Sequence, residues 1–387
     1  MKSNCLIIAG EKSGEEHVQS FFQNLKKLCP EFSFWGVGGD WMQAEGVELL
    51  FHLNDFSSMG FSEVVGKIPF YIRANKLFIS ECRKRKTSFA ILVDFQDFNL
   101  RLAKTLNKIG VQVLYFVAPQ AWAWRPNRAQ IIAQSVHTLF SILPFEAEWF
   151  RQRGVKNIVS VPHPLVRRYR SFLKQYSEQF AQRRSKKLAG LINILILPGS
   201  RASEIRYHLP FYLECIKTLK RHYPIKVSLS RSQNLALEMF QPYLSSDLVD
   251  CVVEESDLPQ TFLNTDVAFA TSGTVTLLAA LFETPTIIFY RGSLFNQFVF
   301  ENFIQYNGQI GLANLVAKEQ IFPELIQDQV HSFNVSRIIQ HWSENSASFL
   351  QIRKKLWELS QTMPDDEGLT AASMAKILSE EHVRGAR

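Results

Sequence analysis

The sequence predicts an α/β protein with two doubly wound parallel sheets. A chain of 387 residues is too long for one ordinary hydrophobic core. Short apolar, β-branched runs alternate with amphipathic helical patterns, and the alternation restarts after a basic stretch. We therefore predict a first domain over residues 1–165, a basic linker over 166–189 and a second domain over 190–345. Residues 346–387 are expected to form helices that pack back on the first domain.

Eleven apolar runs are strand candidates. In chain order they are CLIIAG, FWGVGG, AILVDF, VQVLYFV, TLFSIL, NIVSVP, INILILPGS, KVSLS, DCVVE, VAFATS and TPTIIFY. The helix after the first strand is expected to place one face inward, formed by Val18, Phe21, Phe22, Leu25 and Leu28. Ligands of doubly wound sheets lie beyond the carboxyl ends of the strands. We therefore expect the two sheets to face each other across a cleft lined by these loops.

The charge favours an anionic partner, with a net charge of +7 and a pI near 9.1. Much of the excess lies between residues 165 and 188, where eight Lys and Arg residues face Glu178 alone. We interpret this run as a solvated helical linker, with contact to anionic lipid headgroups as the alternative. No aromatic RNA platform or recognition motif accompanies it, so nucleic acid is not expected.

The cysteines and histidines indicate neither disulfides nor a metal site. The five cysteines are scattered and never form a Cys-x-x-Cys pair. None of the nine histidines stands at a metal-ligand spacing from a carboxylate or cysteine. We expect a reducing, cytoplasmic compartment.

Two glycine turns in the second domain are candidates for phosphate binding. In ILILPGSRASEI, the backbone N–H groups of Gly199 and Ser200 and the following helix dipole can hold a phosphate oxygen, and Arg201 adds a forked donor. ATSGTVTLL supplies a second such turn, and two of them in one domain indicate a diphosphate. The alternative is an ordinary strand-to-helix turn. The absence of a Walker A sequence argues against a P-loop NTPase.

Two aspartates close a buried strand in VDFQDFN. Burial of Asp94 and Asp97 costs desolvation unless they are paired or reach a cleft, and burial raises a carboxylate's pKa and makes it a better base. The alternative for Asp97 is a cap on the following helix. In AGEKSGEEH, Ser13 stands three residues before Glu16, which is a capping-box spacing. The tryptophans of PQAWAWR are expected in the core, with a sugar-binding wall as the alternative.

Ten motifs follow one another in an order far more specific than any single motif: AGEKSG, GVGGDWMQAEGVELL, MGFSEVV, VDFQDFN, PQAWAWR, LPFE, LPGSR, SGT, ANLVA and PELIQ. Together, over roughly residues 5–327, they resemble the lipid-A-disaccharide synthases, a family of GT-B glycosyltransferases. The resemblance implies transfer, with inversion, of a diacylglucosamine unit from its UDP derivative to 2,3-diacylglucosamine 1-phosphate (lipid X). The implied products are the lipid A disaccharide phosphate and UDP, with no cofactor and no metal.

The same resemblance implies the partners and the site. The partners are UDP-diacylglucosamine, lipid X and the inner-membrane surface, on whose cytoplasmic face the protein is expected to bind peripherally. Asp97 is the implied general base for the acceptor's 6-hydroxyl, Asp94 its neighbour, and Arg201 the second catalytic residue. The donor-binding set is Gly199, Ser200, Arg201, Ser272, Gly273, Thr274 and Asn314, and the acceptor set is Ser13, Gly14, Glu15, Asp94, Gln120 and Arg125.

Three positions depart from the family pattern. Leu278 stands where the family commonly has a glutamate after Ser-Gly-Thr, an acid that holds the ribose in related GT-B enzymes. The early Ser-Gly-Asp has Glu15 in its last place, and Gly-His-Pro has Pro162 in its first. These changes leave ribose recognition open and keep alternatives open: another UDP-sugar GT-B transferase, a UDP-sugar epimerase, or a catalytically altered nucleotide-binding relative.

Membrane association is expected where the family has its membrane-associating helix. The segment MGFSEVVGKIPFYI carries the candidate residues Phe61, Val64, Val65, Ile68, Phe70 and Tyr71. Core packing is the alternative for each of them. A second candidate segment with weaker support is FNQFVFENF, residues 295–303.

Overall fold

The computed structural model describes residues 3–56, 61–232, 235–244, 247–291, 309–364, 366 and 368–385. For residues 61–67, 123, 124, 203 and 381–385 it describes the backbone alone. The segment 295–303 lies outside the described residues. The chain forms two compact units, Met1–Arg167 together with Pro364–Arg387, and Arg168–Met363.

The first unit is a parallel α/β sheet of seven strands. The strand order is β3-β2-β1-β4-β5-β6-β7, and every neighbouring pair is parallel. The strands are β1 Ser3–Ala9, β2 Phe32–Gly38, β3 Glu48–His52, β4 Phe89–Val93, β5 Gln112–Phe116, β6 Thr138–Ser141 and β7 Ile158–Ser160. The helices between them are α1 Lys12–Gln19, α2 Phe22–Leu28, α3 Asp40–Ala44, α4 Leu53–Phe56, α5 Phe61–Lys84, α6 Gln96–Lys108, α7 Ala121–Trp124, α8 Arg128–Ser135 and α9 Glu146–Arg151. A further helix, α10 Pro164–Gln175, follows β7.

The second unit repeats this plan with six strands. Its order is β10-β9-β8-β11-β12-β13, again parallel throughout. The strands are β8 Ile192–Leu197, β9 Ile225–Arg231, β10 Cys251–Glu254, β11 Val267–Thr271, β12 Thr286–Tyr290 and β13 Glu324–Ile326. The helices are α11 Ser177–Arg184, α12 Ala202–Leu219, α13 Gln241–Leu244, α14 Leu258–Asn264, α15 Thr274–Leu281, α16 Leu312–Ala317, α17 Ser332–Glu344 and α18 Ser346–Thr362. The last helix, α19 Leu369–Gly385, returns to the first unit.

All eleven predicted strands form, and the sequence analysis missed β3 and β13. The central strands are continuous apolar runs because helices cover both faces of the sheet, as in β1, where residues 5–9 are fully buried. The single helix expected after β1 is instead α1 and α2. Val18, Phe21, Phe22 and Leu25 are buried as predicted, but Leu28 is exposed at the end of α2.

The basic stretch is helical and partly bound into the second unit. Arg184 forms a two-pronged ion pair with Glu283 at 2.6 and 2.7 Å, and Lys186 pairs with Asp266 at 2.8 Å. Buried Arg353 donates to the Arg183 carbonyl and ties α18 to the same stretch. α18 therefore belongs to the second unit, whereas the sequence analysis grouped it with the C-terminal helices of the first. Of the C-terminal residues 346–387, those from Pro364 onward lie with the first unit.

Each sheet reverses its strand order at one point, and the predicted motifs lie there. In the first unit the reversal falls between β1 and β4, which precede the segments 10–16 and 94–99. In the second it falls between β8 and β11, which precede 198–201 and 272–274. These are the topological switch points at which α/β sheets bind ligands.

Candidate active site

Asp94 lies on a strained turn at the end of β4. Asp94 and Phe95 have φ of 46° and 45°, in the left-handed region that L-residues rarely adopt. Three hydrogen bonds hold the turn: the Asp94 N–H donates to the Phe116 carbonyl, and the Asp94 carbonyl accepts from the Tyr115 hydroxyl at 2.8 Å and from Asn99 Nδ2 at 2.9 Å. Strain maintained in this way is common at functional sites.

The Asp94 carboxyl group is the most strongly perturbed acid at this switch point. Burial raises its pKa to about 6, and the nearby charge of Glu11 acts in the same direction. Asp94 forms no ion pair with a described residue. Its carboxylate can therefore accept a proton near neutral pH, which is what a general base must do.

Asp97 has a different environment three residues further on. It lies in the first turn of α6, whose N-cap is Phe95, so the predicted capping alternative for Asp97 is wrong. Its Oδ1 accepts from Arg128 Nη2 at 2.6 Å and from Arg125 Nη1 at 3.2 Å. Arg128 is buried and also donates to Gln96. Asp97 is thus an exposed carboxylate held by two arginines, and its predicted role as base stays a prediction.

The loop after β1 supports this turn. An added Cβ at Gly10 would lie 2.7 Å from the Phe95 ring, so glycine is needed there for the turn itself. The N-cap of α1 is Glu11 without a side-chain hydrogen bond, so Ser13 does not form the predicted capping box. Glu15 Oε1 accepts from the N–H groups of Gly39 and Met42 at 2.8 and 3.0 Å. In this structure Glu15 therefore links the loops after β1 and β2.

A cavity of about 920 Å³ opens beside the two aspartates, within the first unit. α5 contributes Ile68, Tyr71, Ile72, Asn75 and Lys76, and the β4–α6 region contributes Asp94 to Phe98 with Arg101 and Thr105; Glu11 and Arg125 complete the lining. The volume lies at the upper end of the range for small-molecule sites. It combines carboxylates, cations and apolar side chains, which suits an amphipathic ligand.

The turn after β8 is occupied by a side chain of its own helix. Gly199 has φ 109°, and the N–H groups of Ser200 and Arg201 donate to Glu204 Oε2 at 2.8 and 3.2 Å. Glu204 Oε1 accepts from Arg201 Nη1 at 2.9 Å, which completes a capping box at the start of α12. One of the two predicted N–H donors, that of Ser200, therefore binds a carboxylate of its own helix, and the predicted phosphate site stays a prediction. Gly199 lies at the turn itself.

The turn after β11 is open. Gly273 has φ 115°, and an added Cβ there would meet nothing within 4 Å. It is the N-cap of α15, with Ser272 beside it and Thr274 exposed in the first turn. Leu278, at the position of the family glutamate, is buried in that helix.

Asn314 is fully buried in α16. Its Nδ2 donates to the Phe322 carbonyl and to Glu324, both at 2.8 Å. Its Oδ1 accepts from the Ile321 and Phe322 N–H groups. Every hydrogen-bonding position of the side-chain amide is thus used inside the unit. Asn314 therefore has a structural role here and no polar side-chain atom left to bind the UDP-sugar.

Sequence reasoning missed a buried acid near the predicted PQAWAWR loop. Glu146 accepts from Trp122 Nε1 and from the Ser141 hydroxyl, both at 3.0 Å. Burial raises its pKa to about 7 against the opposing effect of these hydrogen bonds. The hydrogen bond to Glu146 holds the indole N–H of Trp122 in place. Gln120 and Arg125 on the same loop are exposed. The motif LPFE was the only signal, and it did not reveal the partner.

The membrane candidates on α5 divide into two groups. Phe70 and Tyr71 pack in an aromatic cluster with Phe56, and the Tyr71 hydroxyl donates to the Phe56 carbonyl at 2.7 Å. These two half-exposed side chains therefore pack against aromatic residues of their own unit, and their predicted membrane contact stays a prediction. Ile68 is 43 % exposed, and its neighbour Ile72, which the prediction did not include, is 52 % exposed. The side chains of Phe61, Val64 and Val65 lie outside the description.

The family model for lipid-A-disaccharide synthetase matches residues 5–380. The chain belongs to this family. It is 34 % identical over 326 residues to a lipid-A-disaccharide synthase of Myxococcus xanthus, covering 84 % of both chains. It is 32 % identical over 385 residues to that of Nitrosococcus oceani, covering 95 % of this chain and 98 % of the relative. Family membership makes it a glycosyltransferase of lipid A disaccharide synthesis that uses a nucleotide-sugar substrate.

Solved structures support the fold. MurG of Acinetobacter baumannii matches with a TM-score of 0.59 at 10 % identity, covering 98 % of this chain and all of that one. The S. aureus MnaA–UDP co-structure matches with a TM-score of 0.57 at 11 % identity, covering 97 % and 95 %. A UDP-N-acetylglucosamine 2-epimerase matches with 0.56 at 10 % identity, covering all of this chain and 98 % of that one. These likenesses establish a GT-B architecture, and since epimerases share it, the fold alone does not decide the reaction.

In the described ranges, no three His, Cys, Asp or Glu side chains are close enough to share a metal ion. No helix there is both long and apolar enough to span a bilayer. The metal-free reaction and the peripheral membrane position stay predictions.

Proposed function

We propose that this glycosyltransferase moves 2,3-diacylglucosamine from its UDP derivative to 2,3-diacylglucosamine 1-phosphate, with inversion and without a metal, at the inner face of the cytoplasmic membrane. The observation that carries the proposal is the pairing of family membership with two differently equipped switch points. One holds a half-buried carboxylate, with no ion pair to a described residue, beside a cavity, and the other holds a strand-to-helix turn that carries an arginine.

The first switch point activates the acceptor. The acceptor's 6-hydroxyl oxygen attacks C1 of the donor sugar, the bond from C1 to the diphosphate oxygen breaks, and UDP leaves with the electron pair. The hydroxyl proton passes to a carboxylate. Geometry favours Asp94 over Asp97 for this step, because Asp94 has a raised pKa and no ion pair, whereas Asp97 is held by Arg125 and Arg128.

The second switch point binds the leaving group. UDP leaves as an anion that needs charge stabilisation and not protonation. Arg201 provides a forked cationic donor, and the turns at Ser200 and Gly273 begin helices whose dipoles favour negative charge. The diphosphate would replace the Glu204 carboxylate as acceptor for the Ser200 and Arg201 N–H groups. Leu278 is buried and has no polar side-chain atom to contact the ribose.

The test is a direct assay. Purified protein is incubated with UDP-diacylglucosamine and diacylglucosamine 1-phosphate, and the disaccharide phosphate and UDP are measured by mass spectrometry, with and without a chelator. We expect one UDP for each disaccharide and no effect of chelation. Release of UDP and free sugar without disaccharide would indicate a hydrolase, and 2-epimerised donor would indicate an epimerase; either result rejects the proposal.

A further inference from the structure

The cavity beside Asp94 contains two cations that the proposed chemistry does not use. Lys76 on α5 and Arg101 on α6 both line it and are exposed. Neither forms an ion pair with any residue that the structure describes. The third cation of the lining, Arg125, is paired with Asp97. Two cations in one concave site favour a doubly charged or forked anionic group.

The α6 face gives the spacing between a cation and Asp97, which lines the cavity together with the proposed base Asp94. Asp97, Arg101 and Thr105 recur every four residues and line the same cavity, so they lie on one face of the helix. Four residues advance a helix by about 6 Å. This is close to the width of one sugar ring. A sugar whose hydroxyl reaches the aspartates at the start of α6 can therefore place a group at the opposite end of its ring near Arg101.

The α5 face supplies an apolar path beside the same cations. Ile68, Ile72 and Lys76 also recur every four residues and line the cavity. Ile68 and Ile72 are among the most exposed large apolar side chains of the first unit. Exposed apolar side chains next to a polar site are typical of ligands that carry hydrocarbon. The cavity thus combines three elements: an acid, a pair of cations and an apolar stripe.

We propose that Lys76 and Arg101 bind the 1-phosphate of the acceptor, with its acyl chains along Ile68 and Ile72. The inference rests on the proposed function, because that function sets the acceptor's chemistry. In this acceptor the reacting 6-hydroxyl and the 1-phosphate lie at opposite ends of one ring, which is comparable to the separation of Asp97 from Arg101 along α6, and Asp94 lines the cavity at the Asp97 end. Lys76 and Arg101 are then specificity-determining residues: they select phosphorylated acceptors and fix the orientation that presents the 6-hydroxyl to Asp94.

The test varies the cation and the phosphate together. Wild type, Lys76→Gln, Arg101→Gln and the control Lys104→Gln are assayed with diacylglucosamine 1-phosphate and with diacylglucosamine that lacks the phosphate. Lys104 is an exposed cation of α6 that does not line the cavity. We expect each cavity variant to raise the KM for the phosphorylated acceptor about tenfold, the usual effect of one charge-assisted contact. The donor KM, the phosphate-free acceptor and the control should be unchanged.

Two results would overturn the inference while the proposed function stands. One is an unchanged preference for the phosphorylated acceptor in both variants. The other is an equal loss with both acceptors together with weaker binding to phosphatidylglycerol vesicles, which would assign the cations to the membrane surface. If wild type makes no disaccharide, the proposed function fails. Calorimetric binding of diacylglucosamine 1-phosphate to wild type and variants then decides the phosphate contact by itself, since equal affinities reject it.

Discussion

The two switch points use different residues to form turns with positive φ. Both need a sharp turn with positive φ at the end of a central strand. The second unit uses Gly199 and Gly273, which adopt this conformation without a steric penalty, whereas the first uses Asp94 and Phe95. A non-glycine residue in this region costs about 1–2 kcal/mol, so the first turn stores strain that the second avoids.

Some of their acids also differ, although Asp97 of the first unit is paired with Arg125 and Arg128. In the second unit the carboxylates of Glu204, Asp266 and Glu283 each pair with an arginine or lysine. In the first, half-buried Asp94 and buried Glu146 have no ion pair to any described residue, and their pKa values rise. Acids in ion pairs hold a structure in place, whereas these two acids without ion pairs can take up protons between about pH 6 and 7. The comparison supports our proposal that proton transfer belongs to the first unit and anion binding to the second.

The largest expected effect is on turnover. Asp94→Asn should lower kcat by about 10²- to 10⁴-fold, because it removes the proposed proton acceptor, and UDP binding should persist. The wild-type kcat/KM should rise with pH through about 6, as Asp94 ionises, and then level off. Asp97→Asn should reduce kcat less and keep this pH profile. Steady-state kinetics from pH 5 to 8 measure both, and the reverse ranking of the two variants would restore Asp97 as the base.

The next effect is on stability and concerns Glu146. Its pKa rises from 4.5 to about 7 on folding, so the folded protein binds this proton more tightly than the unfolded chain. This difference in pKa contributes about 3 kcal/mol to the free energy of unfolding. The contribution is complete below pH 4.5 and is lost as pH rises through 7. Urea denaturation at pH 5 and pH 8 should therefore show a larger loss of stability in wild type than in Glu146→Gln. Glu148→Gln, an exposed neighbour, is the control. Equal losses in all three proteins would contradict the prediction.

A pair of alanine substitutions tests the glycine turns of the second unit. Gly199→Ala should destabilise the unit by about 3 kcal/mol, because the residue keeps φ 109° and its Cβ would lie 2.7 Å from Glu204 Cβ, close to the helix backbone. Gly273→Ala adds only the strain of positive φ, about 1–2 kcal/mol, since nothing lies within 4 Å of its Cβ. Urea midpoints measure the difference. A cost for Gly273→Ala equal to that for Gly199→Ala would show that contact with Glu204 is unimportant.

The smallest effect concerns the carboxylate in the anion site. Glu204→Gln should strengthen UDP binding about threefold to tenfold, an effect of up to 1.4 kcal/mol, because it removes a negative charge that the diphosphate must displace. The amide oxygen can still accept from the Ser200 N–H, so the turn should persist. Calorimetry with UDP measures the affinity, and Glu214→Gln, an exposed acid on the same helix, is the control. Weaker binding in Glu204→Gln alone would mean that the carboxylate orients Arg201 for the ligand.

Part of the site could be predicted because it rests on local patterns. Strand-turn-helix sequences place Gly199 and Asp94 at strand ends, and both lie there. The pairing of side chains could not be predicted in the same way. Arg128 reaches Asp97 from a helix 31 residues away, and Glu146 reaches Trp122 across 24 residues. Such contacts depend on how whole elements pack, which no local spacing contains.

The sequence by itself determined the alternation of strands and helices, the α/β class and the family, since hydrophobic periodicity and ordered motifs are properties of neighbouring residues. The tertiary structure decided that β1 lies beside β4 and β8 beside β11, which brings loops about 75 to 85 residues apart in the chain to one switch point. It also decided which acids lie beside a cation and which do not. A carboxylate's proton affinity depends on burial and on charges nearby in space, and only the folded chain sets both.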